Sequence, residues 1–155
     1  MASSGFKPED RLRKRREFLR VYQEGRRVGG RCFGLFYLPS AGARHRLGLT
    51  VPRKVGGAVV RNRVKRRLRE IFRLNRSILG DHPLDLVINV YPPGGKAASV
   101  ELRAEFLRTA EEAKEGRGRP GRKEPPRRGR GARSQTAGVR GAGRQRTPST
   151  GERQG

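Results

Sequence analysis

Branched aliphatic and aromatic residues almost disappear from this 155-residue chain after residue 115, so a hydrophobic core must be built from residues 1–115. The following 40 residues contain 12 Lys and Arg, no aromatic residue, and Val139 as their single branched aliphatic residue. Such a segment cannot bury enough apolar surface to offset the entropy that is lost on ordering. We therefore expect one folded domain over residues 1–115 and a disordered, Arg/Gly-rich basic tail over residues 116–155.

The charge of the chain restricts its partners. Its 38 Lys and Arg against 14 Asp and Glu give a formal charge of +24, of which the predicted domain carries +14 and the tail +10. An excess of this size repels itself unless a counter-charged partner is present, and nucleic acid is the first candidate. A membrane-surface polycation is the alternative, but most of the charge has no apolar amphipathic stretch beside it. No segment approaches the roughly 18 apolar residues of a membrane span, so we expect a cytoplasmic protein.

Apolar spacing in residues 1–115 predicts helix, strand, strand, helix, strand, helix. Leu47, Leu49 and Val51 alternate, as in a strand with one buried face. Val64 and Leu68 belong to a series with spacings of three and four, which indicates an amphipathic helix. The order favours an α/β fold, more narrowly mixed α and β elements (α+β) packed as one small sheet with helices. The predicted ranges are 15–24, 31–38, 46–51, 58–76 and 84–91, followed by a helix with Ser99 as its N-cap.

The strongest functional signal is the string RNRVKRRLRE, from Arg61 to Glu70, inside the predicted helix 58–76. Its apolar residues face the core, so its cations project mainly from the other side. A solvated helix face is the usual explanation for such a run. However, like charges four residues apart, such as Arg61 and Lys65, destabilise a helix by about 0.2–0.5 kcal/mol per pair. The imbalance therefore favours a polyanion, and arginine can bind phosphate through two parallel hydrogen bonds.

Three aromatic residues form a second candidate site. Phe18 and Tyr22 are one helical turn apart, and Phe36 lies on the predicted strand 31–38. If the first helix packs at the edge of the sheet, these rings could line a cleft in which unpaired bases stack. Alternatively, all three are ordinary core residues, and periodicity does not distinguish the two interpretations.

The sequence shows no catalytic constellation. Asp81 and Asp85 are the closest acidic pair near His82, and a surface loop explains them more simply than a metal site or an acid/base dyad. No nucleophile motif is recognisable, and Cys32 as the single cysteine excludes an internal disulfide. We therefore expect no catalytic and no metal-binding residue, and no hydrolysis by the protein alone.

The string RLGLTVPRKVGGAVVRNRVKRRLREIFR, Arg46 to Arg73, resembles the signature of the bacterial ribonuclease P protein family. The upstream string REFLRVYQEGRRVGGRCFGLFYL is also similar to that family, so the resemblance covers roughly residues 11–113. It implies an α/β sandwich like the second domain of a small-subunit ribosomal protein, with an uncommon left-handed β-α-β crossover.

The resemblance also implies roles for individual residues. The positions that would dock on the catalytic RNA are Arg61, Asn62, Arg63, Lys65, Arg66 and Arg69. The positions that would line a cleft for the single-stranded 5′ leader of precursor tRNA are Phe18, Tyr22, Phe36, Arg53 and Lys54. In this division of labour the RNA binds magnesium and activates water, while the protein holds the leader and screens phosphate repulsion. The expected partners are thus the catalytic RNA and precursor tRNA, with no membrane and no small-molecule cofactor.

Departures from the family pattern occur at three places. Gly56-Gly57 stands where many members have Gly-Asn, which removes an Asn side chain from the entry to the basic helix. Tyr91-Pro92 follows the last strand where basic residues are common, and the Arg/Gly tail lies outside the family core. A ribosomal or ribosome-associated RNA-binding protein of similar fold is the alternative function. An autonomous metal-dependent nuclease is disfavoured because the folded part has no acidic cluster.

Overall fold

The computed structural model describes residues 6–121, and the six predicted elements are present in the predicted order. Their ends differ from the predicted ones by about two residues or fewer, as is usual for helix and strand boundaries. Two short strands and a short helix, which are too brief to show a periodic pattern, are added to them. The helices are α1 (Arg15–Glu24), α2 (Ala58–Asn75), α3 (Pro92–Lys96) and α4 (Ser99–Lys114). The strands are β1 (Arg26–Val28), β2 (Phe33–Pro39), β3 (Arg46–Thr50), β4 (Leu84–Val90) and β5 (Arg119–Pro120).

The strands form one mixed sheet in the order β3-β4-β2-β1-β5. β2 and β4 are the long central pair and run antiparallel, whereas β3 and β4 are parallel and are connected through α2. A parallel connection of this kind needs a crossover, and α2 supplies it. The mixed sheet with its helices confirms the predicted α+β class.

The two faces of the sheet bury different helices, which explains why β2 is apolar at both alternating sets of positions. Leu35 and Ile88 face α2 and α4 and belong to the main core, together with Phe72 and Phe106. Phe36 lies on the opposite face, where it joins a smaller cluster under α1. Helices therefore pack against both faces, and α1 packs on the second face, which is described below.

Helix α2 buries the apolar stripe that the sequence predicts, because Val64, Leu68, Ile71 and Phe72 are all buried. At its start Gly57 holds the N-cap position, and no side chain accepts a bond from the first turn. The entry to α2 therefore has no side-chain cap, as expected with glycine at this position.

The predicted N-cap of α4 is wrong. Ser99 is the first helical residue, and Ala98 occupies the cap position without a side-chain oxygen. The carboxylate of Glu101 instead accepts a hydrogen bond from the Ala98 backbone N–H at 2.9 Å. A glutamate at the third helical position can satisfy the cap residue in this way whether or not that residue has a hydroxyl.

Strand β5 lies beyond the predicted domain boundary at residue 115. It pairs with β1, and the Gly121 N–H donates to the Gly25 carbonyl at 2.8 Å. The sheet thus includes the first residues of the predicted tail, and the remainder of that tail, residues 122–155, lies outside the described residues. Within residues 6–121 no helix is long and apolar enough to cross a membrane.

Candidate nucleic-acid interface

A row of one glycine and two polar residues crosses the face of the sheet on which α1 packs. The sheet register aligns Gly34 with Asn89 and Asn89 with Thr50, on the same face as Phe36. We call Gly34, Asn89 and Thr50 the cleft floor. The hydroxyls of Tyr22 on α1 and Thr50 share a hydrogen bond of 2.9 Å, so α1 forms one wall directly beside this floor.

The three candidate aromatic residues meet at this wall but differ in exposure. Phe36 is 1% exposed and lies beneath Tyr22, with the two rings edge to face at 4.7 Å between centroids. Tyr22 is itself 3% exposed, whereas Phe18 is half-buried. The Phe18 ring lies over Gly48, where a Cβ would come within 2.7 Å of its Cζ, so the glycine permits this close approach. Of the three rings, that of Phe18 is the most exposed and can stack on a base. The rings of Tyr22 and Phe36 are buried inside the wall that α1 forms.

Arg53 and Lys54 lie in a 3-10 turn, Arg53–Val55, shortly after β3. Val55 is buried and anchors the turn, while both cations are exposed. Because the turn follows Thr50 of the cleft floor so closely, it places two positive charges near the β3 end of the floor.

The six candidate residues on α2 fall into distinct environments. Asn62, Arg63 and Arg66 are exposed. Arg61 is half-buried and donates from Nε to the Gly56 carbonyl at 3.1 Å, which closes the turn before α2. The exposed residues are thus available to a partner, whereas Arg61 also has a structural role.

The remaining two, Lys65 and Arg69, line a cavity of about 200 Å³ together with Phe18. Arg11 and Phe6 also line it, with the Arg11 guanidinium 5.1 Å from the Phe6 ring centroid. Burial, and then the charge of Arg11, lower the pKa of Arg69, although an arginine remains protonated in such a site. Among residues 6–121 no acidic residue lines the cavity, so an anion would relieve this concentration of positive charge.

Other arginines are already neutralised by carboxylates. Arg46 binds buried Asp85 through two hydrogen bonds of 2.9 Å. Asp10 is 1% exposed and pairs with Arg44 and Arg76, each at 3.4 Å. These pairs hold the fold together and are not candidates for RNA contact.

The interpretation of Asp85 as a surface-loop residue is wrong. It lies in β4 and is 2% exposed, whereas Asp81 and His82 are exposed in the preceding turn. Asp85 can be buried because Arg46 on the neighbouring strand β3 pairs with its carboxylate.

The side chains of the described residues do not form a site that suits a magnesium ion. They contain no group of three or more His, Cys, Asp or Glu side chains that could surround a metal. The buried carboxylates of Asp10 and Asp85 are committed to arginines. Magnesium prefers oxygen ligands that are free to bind it.

Sequence reasoning missed three residues of this surface: Phe6 and Arg11 of the cavity, and Arg27 at the β1 end of the cleft floor. Tyr91, which binds Arg27, was noted only as a departure from the family pattern. Phe6 and Arg11 precede the first periodic segment, so no pattern draws attention to them. Arg27 lies in a three-residue strand, which is too short for alternation to be seen.

A strongly basic α+β domain that combines an aromatic-walled cleft with exposed helix arginines belongs to the class of RNA-binding proteins. Comparison with known proteins narrows this class. The family model described as Ribonuclease P matches residues 6–114. The chain therefore belongs to the ribonuclease P family, the protein components of the bacterial ribonucleoprotein endoribonuclease that processes the 5′ end of tRNA.

Individual relatives agree with this membership. The ribonuclease P protein component of Syntrophobacter fumaroxidans is 39% identical over 105 residues, which cover 68% of this chain and 88% of that protein. The solved ribonuclease P protein of Staphylococcus aureus matches with a TM-score of 0.62 at 27% identity, covering 67% of this chain and 94% of that one. The Thermotoga maritima protein matches with a TM-score of 0.60 at 30% identity, covering 66% and 96%. The alternative of a ribosomal protein is not favoured by these matches.

Proposed function

We propose that this chain binds the catalytic RNA of ribonuclease P through the exposed face of α2 and holds the single-stranded 5′ leader of precursor tRNA in the cleft beside α1. The observation that carries the proposal is the position of Phe18, which lines the same cavity as Arg11, Lys65 and Arg69, three cations that form no salt bridge with a carboxylate of residues 6–121. A ring for stacking beside cations for the backbone is the arrangement that single-stranded nucleic acid requires.

The two candidate surfaces have separate tasks in this proposal. Asn62, Arg63 and Arg66 contact the catalytic RNA, while Arg53 and Lys54 contact phosphates of the leader near the β3 end of the cleft floor. Lys65 and Arg69 lie between the two surfaces and screen the repulsion where the two RNA strands approach. Magnesium ions would be held mainly by the RNA, since residues 6–121 contain no cluster of three or more His, Cys, Asp or Glu side chains and the buried carboxylates of Asp10 and Asp85 are paired with arginines. The proposed place of action is the bacterial cytoplasm, where precursor tRNA is processed.

The deciding experiment is cleavage of a 5′-labelled precursor tRNA by a bacterial ribonuclease P RNA at low magnesium concentration, with and without this protein. We expect strong stimulation and the correct mature 5′ end, because the protein adds leader binding and charge screening. The protein without RNA serves as the control and should not cleave. Absence of stimulation, together with tight binding to ribosomal RNA, would contradict the proposal.

Replacement of Phe18 tests the cleft separately. In the assembled enzyme, Phe18→Leu should weaken binding of precursor tRNA by roughly 5- to 150-fold, since one base–aromatic stack contributes about 1–3 kcal/mol. Binding of mature tRNA, which has no leader, should remain nearly unchanged. Leucine keeps an apolar side chain over Gly48, so the variant should remain folded, and its thermal unfolding curve checks this. Equal losses for the two tRNAs would exclude Phe18 from the leader site.

A further inference from the structure

We infer that Arg27, held in position by Tyr91, is a second cationic contact for the leader, at the β1 end of the cleft floor. The inference rests on the proposed leader cleft and extends it across the sheet. Arg27 would bind a phosphate of the single-stranded RNA, and Tyr91 is a positioning residue that acts through Arg27.

The sheet register places Arg27 on the cleft side. It lies opposite Phe36 on β2, and Phe36 faces the α1 side of the sheet. Its side chain reaches over Gly34 of the cleft floor, where a Cβ would be 3.5 Å from Arg27 Nε and 2.5 Å from Tyr91 Oη. A side chain at position 34 would collide with Tyr91, so glycine here makes room for the pair.

The chemistry of the pair suits an anionic ligand. Arg27 Nη2 donates to Tyr91 Oη at 2.8 Å, which orients the guanidinium without neutralising it. Arg27 forms no salt bridge with a carboxylate in residues 6–121, in contrast to Arg46. Within the described part of the chain its Nε–H is buried without an acceptor, and the Asn89 Oδ1 in the adjoining floor is buried without a donor. Unsatisfied groups of this kind cost free energy, and a small movement of Arg27 toward a phosphate oxygen would satisfy its Nε.

The position of Arg27 makes the contact dependent on leader length. Strand β1 is three strand spacings from β3, or about 14 Å across the sheet. A leader that enters near Phe18 and Arg53, on the β3 side, reaches Arg27 only if it is long enough to cross the floor. Binding of a precursor with a short leader should therefore not depend on Arg27.

The test compares two precursor tRNAs, one with a leader too short to cross the floor and one with a leader that spans it. Both are bound to the full-length protein assembled with ribonuclease P RNA. Arg27→Gln should weaken binding of the long-leader precursor by about tenfold or more, and should lower its salt slope by about one. Binding of the short-leader precursor should not change.

Arg26→Gln is the matched control. Arg26 is the neighbouring residue on β1 and carries the same charge, but it lies opposite Tyr37 on the other face of the sheet and donates to the Gly118 carbonyl. Arg26→Gln should weaken binding of the two precursors only slightly and by the same factor. Tyr91→Phe removes only the hydroxyl that orients Arg27, so it should weaken long-leader binding severalfold while the salt slope stays unchanged. If Tyr91 had only a structural role, Tyr91→Phe would weaken binding of both precursors by the same factor.

The outcomes separate the inference from the proposed function. If Arg27→Gln behaves like Arg26→Gln while Phe18→Leu still discriminates between precursor and mature tRNA, the contact at Arg27 is refuted and the cleft stands. If neither Phe18→Leu nor Arg27→Gln discriminates, the leader cleft itself is refuted. If the Arg27→Gln variant does not fold, the Tyr91→Phe variant provides the test. Equal weakening of long-leader and short-leader binding by Tyr91→Phe would then overturn the inference.

Discussion

Replacement of Arg46 by Met should lower the free energy of unfolding by about 3–5 kcal/mol, because it leaves the buried Asp85 carboxylate without its partner. The Arg46 guanidinium binds both oxygens of Asp85 and also reaches Glu17 on α1 at 3.2 Å. One side chain thus connects β3, β4 and α1. Since small domains have only about 5–15 kcal/mol of stability, the loss should be obvious in a urea titration followed by circular dichroism.

The control for Arg46 is an arginine with an exposed partner. Arg20 pairs with Glu24 along α1, and the two side chains are 49% and 63% exposed. Arg20→Met should change the free energy of unfolding by about 1 kcal/mol or less. Equal effects of Arg46→Met and Arg20→Met would show that the buried network does not stabilise the fold.

The Glu17 part of the network adds a pH dependence. Burial alone would raise the pKa of Glu17, but backbone N–H groups of Lys14 and Arg13 and the charge of Arg46 together hold it below its usual value. A carboxyl group with a lowered pKa contributes stability above its unfolded-state pKa and loses it as the pH falls through the folded-state pKa. The stability difference between the native protein and Arg46→Met should therefore shrink below about pH 4.

The long periodic elements could be predicted because their apolar spacing has one physical explanation. The stripe containing Val64 and Leu68 can form only one buried face, and the structure confirms it. Strand β2 gives no such stripe, since it has apolar side chains at both alternating sets of positions and is buried on both faces from Phe33 to Tyr37. This is why the sequence could not decide whether Phe36 was a core residue, and why its 1% exposure is information from the structure alone.

Features that depend on several short segments could not be predicted. The basic cavity joins Arg11, Phe18 and Lys65 from three separate parts of the chain, and only the tertiary fold brings them together. Likewise, Tyr91 stands where the family often has a basic residue, and the sequence gives no sign that Arg27 lies beside it. The register of β1 with β2 supplies that contact. Pairing between a three-residue strand and its neighbour leaves no local signal.

Neutralising two exposed arginines of α2 should produce the largest functional loss. Arg63 and Arg66 are exposed, and at a spacing of three residues they lie on neighbouring positions of one helix face. If each makes a charged hydrogen bond to phosphate worth about 1.5–3 kcal/mol, the variant Arg63→Gln/Arg66→Gln should bind ribonuclease P RNA at least about 100-fold more weakly. Because two phosphate contacts are lost, the slope of log affinity against log salt should fall by about two.

The matched control removes the same charge from α4. Arg103 and Lys114 are also exposed, but they lie on α4 and do not line the basic cavity. Arg103→Gln/Lys114→Gln should leave the salt slope nearly unchanged if α2 makes specific contacts, whereas equal losses would mean that only the total charge matters. Neither variant should alter the free energy of unfolding by more than about 0.5 kcal/mol, since all four side chains are exposed. A loss confined to the α2 variant would therefore be a loss of RNA contact, because folding and net charge are the same in both variants.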